Sequence, residues 1–116
     1  YYDKLNGYKK IIKILQPEIN TFSSNHLVIA YFNFSKLKIN KDTFIKILLK
    51  NKIVAHYHYI PNINFKFYKS KNLLKFKGAL NHFKNAISLP IHYKLSLTEL
   101  QKIEKKIKLV VDQYTL

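Results

Sequence analysis

The chain has 116 residues and a formal net charge of +15, from 21 basic and 6 acidic side chains, which is the length of one domain. Hydrophobic residues make up 47% and aromatics 15%, too much apolar mass for a disordered tail and enough to build a core. The absence of cysteine excludes disulfides, thiolate metal sites and a cysteine nucleophile, and with neither an apolar run of roughly 20 residues nor a signal segment the chain reads as cytoplasmic.

Tyr2, Leu5, Tyr8, Ile12 and Leu15 recur at helical spacing with a break at Asn6-Gly7, and Pro17 ends the segment. Residues 1–22 therefore read as a helix end and linker, ahead of a compact domain over 23–116. The run His26–Phe34 is almost wholly β-branched or aromatic, which predicts a strand covered on both faces. Asn40 can cap a helix over Lys41–Lys50 with a wide apolar face around Phe44, Ile47 and Leu48. Ile53–Ile60 alternates with period two and predicts a strand that Pro61 ends, with Val54, His56 and His58 on one side and Ala55, Tyr57 and Tyr59 on the other. Residues 62–77 lack a clean period and read as a long irregular connection. A short helix over Ala79–Asn85 and a strand over Ala86–Leu89 follow, stopped by Pro90. Ser96 and Glu99 form a capping box for a last helix, whose stripe is Leu97, Leu100, Ile103, Ile107, Val110 and Tyr114. This order predicts an α+β fold, a small sheet of three or four strands with helices packed on it.

The chemistry-bearing residues are sparse. His56 and His58 sit about 7 Å apart on one strand face, but a third ligand is wanting, since His26, His82 and His92 are dispersed. No metal site is expected. The acids Asp3, Glu18, Asp42, Glu99, Glu104 and Asp112 form no catalytic pair, and no Gly-x-Ser-x-Gly elbow is present. Two glycines, Gly7 and Gly78, cannot make a phosphate-cradling loop. All 21 basic residues are Lys, and Arg is the better residue for phosphate and base contacts. Lys, Asn, Ile, Tyr and Phe are in excess together, as an A/T-rich coding bias would produce. Nucleic-acid binding is therefore not the first expectation, although Phe65–Lys71 mixes cations and rings as a single-strand binding surface does.

The order of the short motifs is more specific. Ser24-Asn25-His26-Leu27 comes first, then Lys41-Asp42 opening a helix that leads to Leu49-Lys50-Asn51-Lys52-Ile53, then His58-Tyr59-Ile60-Pro61 and Phe67-Tyr68. Ala86-Ile87-Ser88-Leu89-Pro90-Ile91-His92 and Leu97-Thr98-Glu99-Leu100 complete the series. Together they resemble the C-terminal domain of the DegT/StrS-type sugar aminotransferases, pyridoxal-phosphate enzymes of the aspartate aminotransferase fold. Within that family the likeness is greatest to transaminases that aminate C4 of UDP-linked 4-keto-6-deoxy-N-acetylhexosamines, as in pseudaminic acid synthesis. Val28, Asn62 and Ile63 depart from the family's pattern.

The resemblance implies that the chain, which opens on Tyr1, is a C-terminal fragment of a longer homodimeric parent. The Schiff-base lysine, the aspartate for the pyridinium nitrogen and the phosphate loop would lie in a missing large N-terminal domain. The chain itself would then hold no catalytic and no cofactor-binding residue. Pyridoxal phosphate would belong to the parent alone, with glutamate as amino donor and a nucleotide sugar as acceptor. The resemblance brings His58 and Tyr59 to the substrate cleft, with His26 as a further candidate. A nucleic-acid-binding module remains the alternative function.

Overall fold

Two side-chain caps and one run of β-branched residues set most of the local structure. The computed structural model describes residues 1–68 and 73–116. In chain order the elements are α1 (Tyr2–Leu5), β1 (Ile12–Ile14), β2 (Val28–Phe32), α2 (Lys41–Lys50), β3 (His56–Tyr57), α3 (Lys77–Asn85), β4 (Ala86–Leu89) and α4 (Leu97–Tyr114). Asn40 starts α2 by accepting the backbone N–H of Thr43 at 2.9 Å. At α4 the box closes both ways: the Glu99 N–H donates to Ser96 Oγ at 3.2 Å, and the Ser96 N–H donates to the Glu99 carboxylate at 2.8 Å. Each cap satisfies helix-end donors that water would otherwise have to reach.

The strands form one antiparallel sheet in the order β1-β2-β4-β3, with helices packed on it, an α+β fold. Register separates the side chains into two faces. One carries Ile12 and Phe32, Ile14 and Ala30, Ile87, and Val28 with Leu89. Phe44 and Leu48 of α2 and Ile107, Val110 and Val111 of α4 join this face in a single core, where Phe32, Phe44, Leu48, Ile87, Ile107 and Val111 are fully buried. Phe32, Phe34 and Phe44 pack as an aromatic cluster with centroids 4.8–6.0 Å apart. The other face carries Lys13 with Tyr31, Ile29 with Ser88, and His56 beside Ser88.

Four sequence expectations need correction. Residues 12–14 are an edge strand, not helix: Gly7 turns the chain at φ +77, its N–H donates to the Ile12 carbonyl at 2.8 Å, and Asn6 Oδ1 accepts the Ile14 N–H at 3.0 Å. Residues 1–22 do open on a short helix, α1, but they are more than a helix end and linker, because Leu5, Ile11, Ile12 and Ile14 are core residues. An ion pair from Lys9 to Asp112 at 2.8 Å, joined by the Tyr8 hydroxyl at 3.0 Å, ties the turn before β1 to α4. The strand expected over Ile53–Ile60 pairs only at His56 and Tyr57, since its one partner, β4, is four residues long and ends at Pro90, which has no N–H. In α4, Leu97 is exposed, whereas Val111, outside the expected stripe, is fully buried in the core.

Candidate functional site

β4 lies between two neighbours and all four of its residues are buried, so Ser88 is a polar side chain held inside the sheet. Its hydroxyl finds its partner across the ladder, 3.1 Å from Nδ1 of His58. His58 follows directly on β3, whose last residue is anchored from the core side. The Tyr57 hydroxyl donates to Asp42 Oδ1 at 2.8 Å, and its ring stacks on Phe83 at 6.3 Å. That carboxylate raises the Tyr57 hydroxyl above its ordinary pKa. With Tyr57 fixed, alternation directs the next side chain to the opposite face.

A second imidazole meets the first. His82 of α3 stands 5.5 Å from His58 by ring centroids, and its Nδ1 is hydrogen-bonded to the Tyr31 hydroxyl of β2. The Tyr31 and His82 rings pack edge to face at 5.3 Å. Tyr59 leans on His58 at 4.3 Å. Burial lowers the His58 pKa below the ordinary imidazole value, and the neighbouring His82 lowers it further.

Of the three residues expected at the cleft, the structure brings His58 and Tyr59 together. His26, which precedes β2, lines a groove of about 260 Å³ with His56, Ser88 and His92. Tyr31, His82 and Ser88 were not among the sequence candidates. Tyr31 and Ser88 could have been flagged only by knowing which strands pair.

Other features contribute less. A larger open groove of about 660 Å³ runs beside β1 and past Tyr31, but its amides are engaged internally: Asn6 with Ile14, Asn33 with Ser35 and Asn81 with Asn85. Among the described residues no three His, Asp or Glu side chains are grouped to hold a metal, and no helix is long and apolar enough to cross a membrane. Phe65, Phe67 and Tyr68 are exposed, Phe67 by 91%. The rest of the Phe65–Lys71 segment, from Lys69 on, lies outside the described residues.

Among the described residues, the buried amine and the paired carboxylates are already engaged, which does not suit pyridoxal phosphate. An imine needs a free amine, the pyridinium nitrogen a carboxylate, and the phosphate a donor cradle. Lys41, the buried lysine of the core, gives its ammonium to the carbonyls of Phe83 and Ala86 and lies over the Phe83 ring at 4.1 Å. Burial lowers its pKa, but both carbonyls hold it as a clamp between α2 and the end of α3. The carboxylates are committed elsewhere or exposed: Asp42 to Tyr57, Glu99 to its cap, Glu104 to Lys108, Asp112 to Lys9 and Tyr8.

The DegT/DnrJ/EryC1/StrS aminotransferase family profile matches residues 1–108. Among solved structures, Spr1654 of Streptococcus pneumoniae, assigned as a sugar aminotransferase, superimposes in its PMP form with a TM-score of 0.79 at 29% identity, over 92% of this chain and 27% of that one. Helicobacter pylori PseC, an aminotransferase involved in the biosynthesis of pseudoaminic acid, gives a TM-score of 0.75 at 26% identity, over 90% of this chain and 28% of that one. The aminotransferase TlmJ of Streptoalloteichus hindustanus shares the fold, with a TM-score of 0.76 at 16% identity. The chain thus spans 27–28% of the length of the first two structures. No curated protein matches it.

Proposed function

The chain belongs to the DegT/DnrJ/EryC1/StrS aminotransferase family, and from that membership we propose that it is the C-terminal domain of a sugar-nucleotide transaminase. The parent aminates a nucleotide-linked 4-keto-6-deoxy sugar with glutamate as donor, as a pyridoxal-phosphate enzyme and a homodimer. The observation that carries this reading is the family match over residues 1–108, joined to identities of 26–29% with Spr1654 and PseC. The share of those chains that is spanned supports a further domain, to which this reading assigns the cofactor site.

In this reading the chain contributes one wall of the substrate cleft. His58 and Tyr59 present a ring nitrogen, a phenol and two ring faces side by side, and such a surface suits a sugar ring and its hydroxyls. The test is amination of a UDP-linked 4-keto-6-deoxy sugar by the parent protein loaded with pyridoxal phosphate. Aminated sugar formed at the expense of glutamate is the expected result. A loaded parent that turns over glutamate but no nucleotide-linked keto sugar overturns the substrate assignment. Incubated alone with the cofactor, the chain forms no stoichiometric adduct that borohydride can trap; one such lysine would overturn the division of labour between domains.

One observation favours the alternative, a nucleic-acid-binding module: the exposed rings of Phe65, Phe67 and Tyr68 beside Lys66. Salt-dependent retention on single-stranded DNA, lost on substituting Phe67 and Tyr68, is its signature.

A further inference from the structure

We propose that Ser88 is a positioning residue that holds His58 in the tautomer with its proton on Nε2, with the His82 ring packed beside it, leaving that N–H as a hydrogen-bond donor to an oxygen of the sugar-nucleotide substrate. The proposal rests on the cleft reading of His58 given above.

The argument starts from the buried hydroxyl. Ser88 is 6% exposed, and among the described residues its hydroxyl has one partner, Nδ1 of His58 at 3.1 Å. A buried hydroxyl whose proton goes unused loses roughly 1–3 kcal/mol. Donation from Ser88 Oγ to Nδ1 satisfies both atoms, and a neutral ring that accepts at Nδ1 carries its proton on Nε2. The reverse arrangement, Nδ1–H donating to Oγ, would leave the Ser88 proton without a protein acceptor among the described residues. His82 is itself held in place by the hydrogen bond between its Nδ1 and the Tyr31 hydroxyl.

The second imidazole also keeps the first uncharged. The groups that face His58 are Ser88 from β4, His82 from α3 and the adjoining Tyr59, with Tyr31 of β2 behind His82. None is a carboxylate, and no carboxylate hydrogen-bonds either imidazole among the described residues. Asp42, the nearest acid in sequence on the β3 side, is engaged by Tyr57. Protonation of His58 is therefore opposed by burial and by His82, with nothing to compensate. A neutral N–H donor suits a keto, hydroxyl or diphosphate oxygen, and it does its work without moving a proton.

The test is imidazole 15N NMR of this chain with ring-labelled histidine. Near neutral pH, His58 should show an unprotonated, pyridine-like Nδ1 and a protonated, pyrrole-like Nε2. Ser88→Ala should shift it toward the averaged tautomer mixture of free imidazole, and Ser88→Thr should restore the ordered form. His82→Gln, which keeps a hydrogen-bonding side chain but cannot be charged, should move the His58 midpoint up, with the lowering by burial left in place. An Nδ1–H ring in the unsubstituted chain, or an averaged ring that Ser88→Ala leaves unchanged, overturns the proposal. If Ser88→Ala does not fold, the unsubstituted chain and Ser88→Thr decide it alone. Because tautomers are read without substrate, failure here is distinct from failure of the cleft reading, which shows in kinetics with the tautomer intact.

Discussion

The two faces of the sheet are built from the same four strands but from different chemistry. The core face spends its positions on Ile12, Ile14, Ala30, Phe32, Ile87 and Leu89, all buried under α2 and α4. The opposite face carries Lys13, Ile29, Tyr31, His56 and Ser88, and it is only partly covered. Apolar contact is non-directional and makes one face stable; hydrogen bonds between fixed partners make the other specific in geometry. The functional candidates fall on the second, where His58 is wedged among Ser88, His82 and Tyr59.

The contrast can be broken first by stability. Phe44→Ala empties the centre of the aromatic cluster and should cost about 3–5 kcal/mol in urea unfolding. Tyr31→Phe, on the open face, removes one hydrogen bond to His82 and should cost about 1 kcal/mol. Equal losses from the two would mean that the faces are not energetically distinct.

Association sharpens it next. Val54, Tyr59, Ile60, Phe65 and Phe67 are exposed apolar residues from the segment around and beyond β3, which predicts concentration-dependent self-association of the chain by sedimentation. A strict monomer at high concentration would count against an uncovered surface.

In the range where histidine titrates, the resolved shift lies on the open face. His58 has a folded pKa below its unfolded value, so the unfolded chain binds more protons between the two. Its contribution is complete above about pH 6.5 and is lost as pH falls through the folded pKa. Thermal melts should therefore weaken as pH falls below about 6.5, and His58→Gln should flatten that slope. A profile unchanged by the substitution would remove His58 as its source. The smallest effect is expected from His56→Ala: the side chain is exposed, and the loss should stay within about 0.5 kcal/mol.

The difference between the faces also decides what could be read from the sequence. The core face announces itself locally: the β-branched run at β2, the spacing of Phe44 and Leu48, and the caps at Asn40 and Ser96 each lie within a few consecutive residues. β1 was hidden because Ile11 to Ile14 are compatible with helix until the left-handed turn at Gly7 is known. The polar network is non-local. Tyr31 meets His82 across 51 positions and His58 meets Ser88 across 30, so no window along the chain contains it. His58 and Tyr59 were singled out through family resemblance, while the contacts of His58 with Ser88 and His82 required the strand order.

The account stands most directly on kinetics of the parent enzyme carrying His58→Ala. The KM for the nucleotide-linked keto sugar should rise, or turnover with it should fall, while cofactor loading and the glutamate half-reaction stay near their unsubstituted values. A folded variant whose sugar-dependent kinetics match the unsubstituted enzyme would contradict the placement of His58 at the substrate and return the whole network to a structural role.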